Sequence, residues 1–107
     1  MLFRSDDIDA VACLISENKT IQKLYLNHNK ISDNGFIGIC KSLSINTSIK
    51  FINVGFNNLK SDCVKIFGEL VNNNLTLKEI VLRGNKLSQE TKEKLIKFNG
   101  SMLNVII

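Results

Sequence analysis

Apolar and variable residues alternate in three short stretches of the chain, Ile21–Ser32, Ile49–Lys60 and Leu77–Ser88, and each alternation is followed by an asparagine and one more apolar residue. Leu24, Ile52 and Ile80 recur at a spacing of 28 residues. The same spacing aligns Ile21, Ile49 and Leu77; Leu26, Val54 and Leu82; Asn29, Asn57 and Asn85; and Ile31, Leu59 and Leu87. Five columns repeated without a gap identify an internal repeat, and a repeat must be found before elements are assigned.

Two periods alternate inside each unit. Leu24-Tyr25-Leu26 and its copies have period 2, the mark of a strand with one buried face. Phe36, Ile39, Cys40 and Leu43 then fall at i, i+3, i+4 and i+7, one stripe of a helix. Ile8, Val11, Ala12 and Ile15 form the same stripe earlier, and Val64, Phe67, Gly68 and Val71 form it later. The pattern predicts strands near 23–26, 51–54 and 79–82, and helices over about 5–17, 33–45, 61–73 and 89–98. Ser32 or Asp33, Ser61 and Ser88 are the expected N-caps. Asn18, Asn46 and Asn74 are expected to stop the helices in a left-handed conformation. Asp6, Asp7 and Asp9 suit the positive end of the first helix. One such unit buries too little to stand alone, so units must stack.

The pattern L-x-x-L-x-L-x-x-N-x-[IL] followed by a helix resembles a leucine-rich repeat, over residues 3 to 102. The repeat length and the "ISDNG" helix start are similar to the ribonuclease-inhibitor subtype, which also occurs in NOD-like receptors and the Ran GTPase-activating protein. The resemblance implies an α/β, right-handed solenoid with three short parallel strands on the concave side and four helices on the convex side. It divides the single domain 1–107 into a partial repeat 1–20, repeats at about 21–48, 49–76 and 77–102, and a tail 103–107. The final segment, Met102–Ile107, either adds a closing strand or packs as a tail. The resemblance also implies that Asn29, Asn57 and Asn85 point inward and bond the turn backbone, as a buried amide requires.

Composition narrows the function classes. The chain has 107 residues, 44% of them hydrophobic, and net charge +4. Its twelve lysines are scattered and it has only two arginines, which argues against a nucleic-acid face. No apolar run is long enough to span a membrane, and the acids near the start exclude a signal peptide. Three cysteines without paired spacing fit a reducing compartment, cytoplasmic or nuclear, so the N-x-[ST] motifs at Asn18, Asn46, Asn74 and Asn99 read as turns.

No enzyme chemistry emerges. There is no C-x-x-C, no glycine-rich phosphate loop and no acid pair, so neither a metal nor a cofactor is expected. His28 and Cys40 belong to different elements and do not form a dyad. What remains is the outward half of each strand unit: Lys23, Phe51 and Glu79; Tyr25, Asn53 and Val81; Asn27, Gly55 and Arg83; His28, Phe56 and Gly84. The pleat sends these away from the buried leucines. Tyr25, Phe51 and Phe56 are expected to anchor a protein partner, while Lys23, Glu79 and Arg83 set orientation. Asn27, His28, Asn53 and Val81 complete the expected site. The alternatives are GTPase activation, by resemblance to the Ran activator, or a fragment of a larger array.

The two ends differ. Lys92 and Asn99 replace two apolar stripe positions in the last helix, as a cap requires. Met1 aligns with Asn29, so no strand precedes 23–26 in register, and only the first helix and "MLF" cover it. That strand is an expected edge, open to self-association or to a partner.

Overall fold

A computed structural model describes residues 5–74, 76–100 and 103–107. The elements alternate as α1 (Ser5–Glu17), β1 (Lys23–Tyr25), α2 (Asp33–Leu43), β2 (Phe51–Asn53), α3 (Cys63–Asn73), β3 (Glu79–Val81), α4 (Gln89–Ile96) and β4 (Asn104–Ile106). The strands form one parallel sheet in the order β1-β2-β3-β4. Leu24 pairs in register with Ile52, and Ile52 with Ile80.

The sheet has four strands, not three. Val105 pairs with Ile80, so the last step along the chain is 25 residues rather than 28. The helix is the part that shortens, with eight residues in α4 against eleven in α2 and α3, and the earlier return brings Val105 into the column of Ile80, where it and the neighbouring Leu103 are buried. The segment 103–107 is therefore part of the sheet, and periodicity missed it because it is out of step. The alignment of Met1, the cover offered by "MLF", Met102, and the side chains of Asp6 and Asp7 lie outside the described residues.

The core lies between sheet and helices. Ile52, Ile80 and Val54 from the sheet meet Phe36, Ile39, Leu43, Phe67 and Leu70 from α2 and α3, all buried. In the sheet and α2 these positions are the expected period-2 and i, i+3, i+4, i+7 columns, whereas α3 buries Cys63, Ile66, Phe67 and Leu70 in place of the expected Val64, Gly68 and Val71, with Phe67 common to both. Phe98 closes the last layer by meeting Phe67 edge-on, ring centroids 5.6 Å apart.

Two asparagine columns tie each repeat to its neighbour. Asn57 Nδ2 donates to the carbonyls of Leu26, Val54 and Gly55, and its Oδ1 accepts from the backbone N–H groups of Asn29 and Ile31. Asn85 does the same one repeat on, donating to Val54 and Leu82 and accepting from Leu59. After the helices, Asn46 Nδ2 donates to Ile15 and Asn18 carbonyls, while its Oδ1 accepts from Ser48 and Ile49. Asn74 repeats that pattern onto Leu43, Asn46, Thr76 and Leu77. The second column thus differs from its expected role. Asn74 is extended, with φ −114°, and none of the three is left-handed. Asparagine is needed here because one side chain must donate to the preceding repeat and accept from its own loop.

The caps are also partly reassigned. Ser88 accepts from Thr91 N at 3.1 Å, as expected. Ser32 caps α2 without a side-chain bond, and α3 is capped by Asp62 rather than Ser61. The Asp33 carboxylate instead accepts from the backbone N–H groups of Lys60 and Asp62 in the next repeat.

Candidate protein-binding face

The side chains that alternate away from the buried columns share the sheet face opposite the helices. Lys23, Tyr25, His28, Phe56 and Arg83 are exposed, and Asn27, Phe51, Asn53, Glu79 and Val81 are half-buried. All ten expected residues therefore reach the surface. They do not contribute equally.

Two aromatic pairs stand on neighbouring repeats. The Tyr25 and Phe51 rings lie 5.2 Å apart, tilted by 49°. Strand pairing of Lys23 with Phe51 and of Tyr25 with Asn53 puts the two rings on diagonal positions, within reach across adjacent strands. His28 and Phe56 stack 4.7 Å apart and nearly parallel. Tyr25 and Phe56 remain 61% and 50% exposed, so each ring supports its neighbour and still offers a face to a partner.

The second pair owes its position to the backbone. His28, Phe56 and Gly84 occupy one repeat column and all have positive φ, at 62°, 54° and 77°. Each turn after a strand passes through the left-handed region, which favours glycine and strains a bulky residue by about 1–2 kcal/mol. Gly84 also makes room: a Cβ built there would stand 2.4 Å from the Phe56 ring. Phe56 therefore lies over Gly84.

Some polar members are already engaged. Asn53 Oδ1 accepts from Gly55 N at 2.9 Å, and Glu79 Oε1 accepts from Asn104 Nδ2 at 3.1 Å. Their first role is to shape the face, leaving Lys23 and Arg83 as its exposed cations. Sequence reasoning missed Asn104 and Ile106, which β4 adds in register with Glu79 and Val81. Counting three strands removed that column from view.

The cysteines play no part in the face. Burial pushes the Cys63 thiol up to about 12, helped by the nearby Asp33 carboxylate, and Cys63 donates to the Lys60 carbonyl. Burial, with Cys63 beside it, also holds the Cys40 thiol well above its ordinary value. Both thiols stay neutral in the folded chain and ionise only when unfolded near the ordinary 9.0. Their contribution to stability is complete below that value and is lost as pH rises above it, for Cys63 toward about 12. Native protein should therefore yield one reactive thiol, the exposed Cys13, and denatured protein three, as counted with a colorimetric thiol reagent. Among the described residues no group of His, Cys, Asp and Glu is placed to hold a metal, and no helix is long and apolar enough to cross a membrane.

A family model described as "Leucine Rich repeat" matches residues 17–40, which hold β1, its asparagine turn and most of α2. No curated protein matches the chain. Among solved structures, one described as "Leiomodin-1 Actin-Binding Site 2 (ABS2)" superposes with a TM-score of 0.86 at 15% identity, covering 97% of this chain and 62% of that one. The tropomodulin C-terminal domain of Caenorhabditis elegans superposes with a TM-score of 0.72 at 15% identity, covering 86% of this chain and 56% of that one. The chain thus spans about three-fifths of the length of these solved domains, and the likeness is one of fold.

Proposed function

We propose, from the leucine-rich-repeat fold, that the chain is a non-catalytic module that binds a protein partner on its strand face. The observation that carries the reading is the pair of aromatic contacts, Tyr25 with Phe51 and His28 with Phe56, held half-exposed on adjacent repeats. Large rings in fixed positions bury much area on contact and lose little side-chain freedom, which is why such residues dominate interfaces. Lys23 and Arg83 flank them and favour an acidic rim on the partner. We read the units as 28-residue repeats of the ribonuclease-inhibitor type in one domain, coiling right-handed with the strands on the concave side, as parallel crossovers overwhelmingly do. The partner is a protein rather than a nucleic acid or a membrane, met in the cytoplasm.

Actin is the first partner to test, because a domain described as an actin-binding site shares the fold. Cosedimentation or fluorescence titration with purified actin should show binding. The double variant Tyr25→Ser/Phe51→Ser should weaken it at least tenfold without lowering the urea midpoint by more than a small amount. Phe56→Gly is a clean companion, since it removes a ring from a position whose backbone favours glycine. Undiminished binding by both variants would show that the partner lies elsewhere on the molecule.

A further inference from the structure

The two edges of the sheet are finished differently. Backbone groups of Gln22 and Leu26 bond toward β2, so those of Lys23 and Tyr25 face the side of β1 away from β2. On β4, backbone groups of Asn104 and Ile106 bond toward β3, and two of the outward ones are bonded by the chain itself. Leu103 O accepts from Gly100 N, and Val105 N donates to Asn99 Oδ1. Asn99, expected in the last helix stripe but lying beyond the end of α4, thus occupies part of the β4 edge.

Burial shows the same asymmetry. Val105 on β4 is 3% exposed, although β4 has only one neighbouring strand. Ile21 and Leu24 on the β1 side are only partly buried, whereas their repeat equivalents Ile49, Ile52, Leu77 and Ile80 are buried.

A buried side chain at the β1 end lacks the partner that its equivalents have. Asn57 Oδ1 accepts from Asn29 N and Ile31 N of the repeat before it, and Asn85 Oδ1 accepts from Leu59 N. Asn29 is 5% exposed, and its Nδ2 donates to Leu26 and Asn27 carbonyls, but its Oδ1 is buried without a donor among the described residues. Its equivalents accept from the turn one repeat back, so it is aimed at the position of a preceding turn. Asn58 Oδ1, the other such atom, lies on the turn between β2 and α3, inside the array.

From these observations we propose that the β1 edge is a receptor for one more leucine-rich-repeat strand and turn, entering parallel to β1. The incoming strand bonds the outward backbone groups of Lys23 and Tyr25, its apolar residues cover Ile21 and Leu24, and a turn N–H donates to Asn29 Oδ1. A second copy of this chain does not fit. On its β4 edge the Leu103 carbonyl and the Val105 N–H are already bonded, and β1 paired with β1 about a two-fold axis runs antiparallel, which carries the incoming turn away from Asn29. This inference stands apart from the strand-face reading, because it concerns backbone groups at the sheet edge.

The test supplies the missing strand. A copy of Ile21–His28 fused ahead of Met1 restores the 28-residue register, and amide hydrogen exchange is measured on the full chain with and without it. The Lys23 and Tyr25 amides should slow at least tenfold in the fusion, and a fusion of the same eight residues in scrambled order should leave them unchanged. Equal exchange in all three proteins would overturn the proposal. So would a dimer of the unfused chain, seen by sedimentation at micromolar concentration, whose formation slows those amides.

Discussion

Asn57→Ala should lower the free energy of unfolding by about 3–5 kcal/mol, while Asn29→Ala one repeat earlier should cost about 1–2 kcal/mol. The two residues are equally buried and share a column, so side-chain volume does not separate them. Their partners do. Alanine at 57 strips acceptors from the Asn29 and Ile31 N–H groups and donors from three carbonyls. Alanine at 29 removes two donated bonds and an oxygen that has no donor among the described residues. Urea denaturation checks the difference: both midpoints should fall with the slope unchanged, and the Asn57 variant should fall further. Equal losses would mean that the column acts through packing rather than through bonds across repeats.

Phe67→Ala should be comparably severe, at about 3–5 kcal/mol. The ring is fully buried in α3 and meets Phe98 edge-on, so its loss opens a cavity where the third repeat meets the last. Phe98 itself is wedged close to α3, 3.1 Å from the Cβ position of Gly68, and has little freedom to fill the gap. Domains of this size are stable by about 5–15 kcal/mol, so either variant consumes much of the margin. Thermal unfolding should show the Phe67 variant melting far below the parent, whereas Leu14→Ala, on an exposed position of α1, should melt close to it.

Much of the architecture was legible because the core is periodic. Strand positions at 24, 52 and 80 and the stripe of α2 obey one spacing that turns them toward the core, while the buried face of α3 is rotated by about one residue to Cys63, Ile66, Phe67 and Leu70. The fourth strand was not legible in that way, since Val105 enters its column after a shorter step. The left-handed column was hidden for another reason. His28, Phe56 and Gly84 look unrelated, and only glycine signals positive φ from sequence. The polar ladder was half legible. The column at 29, 57 and 85 bonds the turn backbone inward, whereas Asn46 and Asn74, expected as helix stops, reach back to the repeat before them. Of the site, sequence supplied which residues face outward, and structure supplied which rings touch and which polar groups are already engaged.

Both asparagine ladders point one way along the chain. Each repeat's loose carbonyls are met by a side chain that comes later in the sequence. Synthesis from the N-terminus therefore delivers every unit unfinished, and the next unit to emerge locks it. Shortening the molecule from its tail reopens turns that were already closed. Shortening it from its head leaves an idle oxygen and an uncovered strand, the lesser injury, so the array is built to be completed in the order in which it is made.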